Sequence, residues 1–120
     1  ITYELSAHSL VSTVSGWHLN PAAVARNRHP NHCSGMEPRM HAEVGHVAAR
    51  SGITRKDASN IALKLLEGYE GRIREAPKGK SFRECYNIET LQPTDEYIRL
   101  WQNTRKKLKD MGLDFTLLND

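Results

Sequence analysis

The chain has 120 residues, 38% hydrophobic and 26% charged, which suits one domain with a modest core and excludes a largely disordered polypeptide. Its net charge of +3 and pI near 9.0 favour solubility and tolerate an acidic partner, but are too small an excess to argue nucleic acid alone. No apolar run approaches the ~18 residues that a membrane span needs.

Two cysteines, Cys33 and Cys85, lie far apart without a CxxC pair, which fits a reducing, cytoplasmic compartment. No signal pattern precedes the first helix, and an opening at Ile1 reads as the interior of a longer polypeptide.

Residues 3–15 place Tyr3, Leu5, Ala7, Leu10, Val11 and Val14 at mostly helical intervals, ahead of a stop at Gly16. The β-branched Val11, Thr13 and Val14 leave a strand conceivable. From Trp17 to Ser34 the periodicity is lost to turn residues, predicting a loop over 17–34, and connections this long are often functional. Helical spacing returns with Met36, Met40, Val44, Val47 and Ala48, and Pro38 fits its first turn, where a missing N–H costs nothing. The stretch from Thr54 to Arg74 is the central amphipathic helix, with Ala58, Ile61, Ala62, Leu65, Leu66, Tyr69 and Ile73 on one face. Gly52 stops the helix before it, Thr54 and Asp57 form a capping pair, and Ala76-Pro77 ends it.

Ser81 to Glu84 is a capping box opening a short turn through Tyr86, followed by an irregular stretch from Asn87 to Gln92. Thr94 caps a last helix whose stripe is Tyr97, Trp101, Leu108 and Met111, closed by Gly112. The tail carries Leu113, Phe115, Leu117 and Leu118 and is expected to dock. The chain reads as a single all-α unit over residues 1–120, with four or five helices.

Candidate chemistry is sparse. His29, His32 and Cys33 cluster in the long loop, with His41 and His46 on the following helix. A zinc site needs four ligands at recurrent spacings, whereas His41 and His46 fall about 140° apart around a helix, so no metal is expected. Cys33 lacks an evident orienting partner or oxyanion hole, so it is not read as a nucleophile. Cys85 is expected to be buried beside Phe82 and Tyr86. Residues 46–67 mimic a helix-turn-helix, or the first helices of HU-like proteins, with Arg55 and Lys56 opening a recognition helix. Against DNA stand Glu67, Glu70 and Glu75, and a helical rather than β continuation at 94–111. Close packing of two helices at a glycine joint is the preferred reading. The basic run Arg105-Lys106-Lys107, with Lys109, complements a helix C-terminus.

Taken together, SAHSLVSTVSG at 6–16, GMEPRM at 35–40, APKGKSFRECYNIETLQPTDEY from Ala76 and RKKLKDMGLDF ending at Phe115 resemble the monomethylamine methyltransferases of methylamine-using archaea and bacteria. The resemblance covers the C-terminal quarter of such a protein; Pro38 and the loop 17–33 depart from the pattern. It implies the end of a (β/α)8 barrel whose full chain moves a methyl group from monomethylamine to the cobalt of a corrinoid on a partner protein. The family's pyrrolysine lies upstream of the matching portion, so no catalytic residue carries over. Gly35, Met36, Glu37, Arg39 and Met40 are motif positions without an assigned role. By itself the chain is expected to be structural or associative, to hold no cofactor, and to self-associate as a dimer through an uncovered stripe: that of 3–14, that of 36–48, or the tail.

Overall fold

The computed structural model describes residues 1–20, 32, 34–75 and 79–119. In chain order these form α1 (Thr2–Val14), α2 (Met36–Ser51), α3 (Arg55–Glu67), a 3-10 segment (Glu70–Glu75), α4 (Phe82–Cys85), α5 (Asp95–Asp110) and a second 3-10 segment (Phe115–Leu118). Among the described residues there is no strand, only a single bridge between Tyr86 and Pro93, so the all-α reading holds.

Local chemistry explains most boundaries. Gly52 takes a left-handed φ of 66°, which a side chain would disfavour, and so turns α2 into α3 within a few residues. Thr54 Oγ1 accepts the Asp57 N–H at 3.1 Å, satisfying one of the donors that a helix start leaves over. At α4, Glu84 Oε2 accepts from the Ser81 N–H at 2.8 Å and from its hydroxyl at 2.7 Å. At α5, Thr94 Oγ1 accepts the Tyr97 N–H.

The central helix is shorter than its apolar spacing predicts. It ends at Glu67, where the Gly68 N–H donates to Leu65 O at 3.1 Å, and the chain continues as 3-10. Two glycines, Gly68 and Gly71, weaken helix here by about 1 kcal/mol each relative to alanine. A 3-10 turn of three residues then rotates Ile73 off the buried face, leaving it 56% exposed. The expected stop at Ala76-Pro77 lies outside the described residues.

Three helices make the body. Ser9 and Thr13 of α1 reach Gly45 of α2, and His8 and Ser9 reach His41, so the contacts advance in the same sense along both helices. Against α3 the sense reverses: Arg55 Nε donates to Val14 O at 3.1 Å, while Tyr3 lies beside Gly68. The Gly52 joint carries the chain from α2 directly into α3.

The close approach of α1 and α2 depends on small residues. A Cβ at Gly45 would meet Leu19 Cδ1 at 2.5 Å and the Ser9 and Thr13 hydroxyls at 3.2 Å. Accordingly α1 buries Ser6, Ser9 and Ser12 along with Leu5 and Leu10, while Val11, expected on the stripe, is 41% exposed. The serine and threonine hydroxyls do not go unsatisfied: Ser6 donates to Thr2 O at 2.7 Å and Thr13 to Ser9 O at 2.8 Å.

The core joins Leu10, Met40, Val44, Val47, Ala58, Ile61 and Leu65 with Tyr97, Trp101 and Leu108 of α5, and with Leu113 and Phe115 of the tail. The tail docks as expected, with Arg50 of α2 donating to Leu117 O. The stripe of α2 and the tail's Leu113 and Phe115 are covered within the chain, whereas the stripe of α1 keeps Val11 open to solvent. Other exposed large apolar side chains include Trp17, Leu63, Ile73, Leu91 and Leu100.

Candidate association surface

The family-motif positions begin α2. Gly35 is its N-cap residue, Arg39 is exposed, and Met36, Glu37 and Met40 are buried. Burying a carboxylate is costly without hydrogen bonds, and Glu37 Oε2 accepts the Ser34 N–H at 3.4 Å. The Ser34 hydroxyl in turn meets the buried phenol of Tyr97, tying the start of α2 to α5.

One turn on, Glu43 is a second tie between these helices, and its spacing gave no hint of it. Its Oε2 accepts Trp101 Nε1–H at 2.8 Å, its Oε1 accepts Arg39 Nε–H at 2.9 Å, and Arg105 Nε stands 3.9 Å from Oε2. The Trp101 ring meets Phe115 edge-on at 6.0 Å, and the Arg105 guanidinium lies 4.9 Å above the same Phe115 ring. Lys107 covers Tyr3 at 4.4 Å. Half of the basic run is thus engaged within the fold instead of facing a partner.

The histidines separate. His29 and Cys33 lie outside the described residues, His32 is half-buried, and His46 is exposed. His41 is 1% exposed, and its Nε2 stands 2.9 Å from Nδ1 of His8, a residue that its place in the sequence did not single out. One of the two nitrogens must carry the proton and the other accept it. Burial, and then the charge of His8, push the His41 pKa below the usual 6.5. Among the described residues, no group of three or more His, Cys, Asp or Glu side chains could hold a metal. Cys85 is buried at 1% exposure, next to the stacked pair Phe82 and Tyr86, as expected.

Arg55, a candidate DNA contact by sequence, donates instead to the last carbonyl of α1. The chain after α3 does not follow an HU-like course into strands, since α5 is helical throughout.

A cleft of about 980 Å³ opens between the first turn of α1, the first 3-10 segment and α5. Glu37 and Met40 form its buried floor; Tyr69 and Ile73 line it from the 3-10 side and Leu100 from α5. Five glutamates, Glu37 included, and three basic residues contribute to its lining. Burial and then the charges of Glu4 and Glu70 raise the pKa of the Tyr69 phenol, so the phenol stays neutral.

The described residues form an all-α unit with a charged, apolar-walled cleft on one side. The model of the family described as Monomethylamine methyltransferase MtmB matches residues 1–113. The monomethylamine methyltransferase MtmB2 of Methanosarcina barkeri is 41% identical over 113 residues, and MtmB of Methanosarcina mazei is 38% identical over the same length. Each alignment covers 93% of this chain and 24% of the relative. The crystal structure of the Methanosarcina barkeri monomethylamine methyltransferase superposes with a TM-score of 0.86 at 38% identity, over 94% of this chain and 24% of that one. The chain therefore belongs to the monomethylamine methyltransferase family, and it spans about a quarter of the length of these relatives, their C-terminal portion. Nothing in the geometry or the comparisons favours the DNA-binding alternative over residues 46–67. No helix among the described residues is long and apolar enough to cross a membrane.

Proposed function

We propose that this chain supplies the C-terminal helical portion of a monomethylamine methyltransferase, in the cytoplasm, and acts there by bracing and association. The observation that carries this is the agreement of sequence and structure over one continuous quarter of the relatives, residues 1–113. On the family resemblance, the whole protein is a (β/α)8 barrel that transfers the methyl group of monomethylamine to the cobalt of a corrinoid carried by a partner protein. The residues that run that transfer lie outside the matched portion, so this chain contributes fold and contacts without a catalytic group or a bound cofactor. Dimer formation is part of the same proposal, since the family resemblance implies that these C-terminal helices also contact neighbouring subunits.

The purified chain, mixed with monomethylamine and a corrinoid protein reduced to Co(I), is expected to leave the visible spectrum of the cobalt unchanged. Appearance of the methyl-cobalt spectrum with this chain as the sole methyltransferase would overturn the associative reading. A salt-dependent shift of duplex DNA would revive the helix-turn-helix reading, because phosphate contacts weaken steeply with salt.

A further inference from the structure

The cleft between α1, the first 3-10 segment and α5 has no occupant among the described residues, although it concentrates apolar surface. Ile73 is 56% exposed and Leu100 45% exposed, and both line the cavity together with half-buried Tyr69. Singly exposed apolar residues are ordinary; apolar side chains converging on a concavity of about 980 Å³ mark a binding surface. Resting on the family reading above, we propose that this cleft is the seat of the polypeptide that, in the longer relatives, immediately precedes the portion matched by this chain.

Three observations single out that occupant. The match to the family begins at residue 1, and Ile1 and Thr2 themselves line the cleft, so in a relative the preceding polypeptide reaches this portion at the cleft. About three quarters of each relative's length lies outside the match and must pack on this portion somewhere. The stripe of α2 is already covered within the chain, and two of the large apolar side chains that stay exposed, Ile73 and Leu100, line this one concavity. A second copy of the chain is a poorer fit. A symmetric dimer contact must be self-complementary, and a concave surface cannot fill a copy of itself. The lining of five glutamates against three basic residues further specifies an occupant with apolar side chains flanked by cationic ones.

The test compares two proteins: this chain alone, and a chimera in which it replaces the matching C-terminal quarter of the Methanosarcina barkeri enzyme. Single variants Ile73→Cys and Leu100→Cys report on the cleft, and Leu63→Cys, exposed on α3 and absent from the cleft lining, reports on another face. Alkylation of each site is followed by mass spectrometry of its peptide. In the chain alone all three sites should react quickly, because exposed thiols are accessible. In the chimera Ile73→Cys and Leu100→Cys should slow by at least about tenfold, as sites that react only on local opening do. Equal rates at both sites in a folded chimera that transfers methyl groups would overturn the cleft assignment while leaving the family reading intact. Concentration-dependent protection of the same sites in the chain alone would assign the cleft to a second copy and overturn the proposal. A chimera that neither folds nor transfers methyl groups would count against the family-function reading, and with it this inference.

Discussion

Trp101 is one of the residues that hold α5 to the three-helix body, and its replacements weigh packing against hydrogen bonding. It is 6% exposed, its ring meets Phe115, and its Nε1–H reaches Glu43 at 2.8 Å. Trp101→Ala should cost about 3–5 kcal/mol, the range for emptying a buried aromatic site. Trp101→Phe keeps an aromatic ring against Phe115 and removes the donor to a carboxylate, at a cost of about 1.5 kcal/mol, the lower end for bonds to charged groups. The lower end applies because Glu43 keeps Arg39 at 2.9 Å. Cavity formation is therefore the larger effect. A double-mutant cycle with Glu43→Ala should give a coupling of at least about 0.5 kcal/mol, since the two side chains touch. Urea unfolding followed by far-ultraviolet circular dichroism is the suitable assay, because the substitution removes a fluorophore. A loss below about 1 kcal/mol for Trp101→Ala, or a coupling near zero, would refute the idea that Trp101 anchors α5 through both its ring and its indole N–H.

The burial of His41, and then the charge of His8, make stability depend on acidity. His41 is held below its ordinary 6.5, so the unfolded chain binds the proton more readily and stability is complete above about pH 6.5, declining as pH falls through the folded pKa. His41→Gln should flatten that decline in urea midpoints measured from about pH 7.5 to 5.5, and an unchanged slope would show that other groups set it. Gly45→Val should cost about 1–3 kcal/mol, because the new methyl groups meet Leu19, Ser9 and Thr13 where the helices are closest; a neutral midpoint would show that α1 and α2 can separate freely. Thr54→Ala should cost about 1 kcal/mol in the same measurement, through loss of the hydrogen bond to the Asp57 N–H. No loss there would mean that solvent replaces the cap.

What the amino-acid sequence determined by itself was whatever lies within a few residues along the chain. Thr54, Ser81 with Glu84, and Thr94 start their helices where the capping residues stand, because a cap and the N–H it serves are three residues apart. Gly52 and Gly112 end theirs with φ values of 66° and 108°, which other residues avoid. The spacing of Tyr97, Trp101 and Leu108 marked the buried face of α5, and the long motif string pointed to the family. The end of α3 was also written locally, in Gly68 and Gly71, but the apolar spacing of Tyr69 and Ile73 masked it. The rest needed the tertiary structure. The serine face of α1 looks like a solvent face until Gly45 lets α2 come close enough to bury it. The ties between His8 and His41, Ser34 and Tyr97, and Glu43 and Trp101 join residues 33, 63 and 58 positions apart. No periodicity relates such positions; only the way the helices cross brings the polar groups within bonding distance. The cleft arises in the same way, from three elements that a linear pattern treats as independent, and helix packing among the described residues leaves it open.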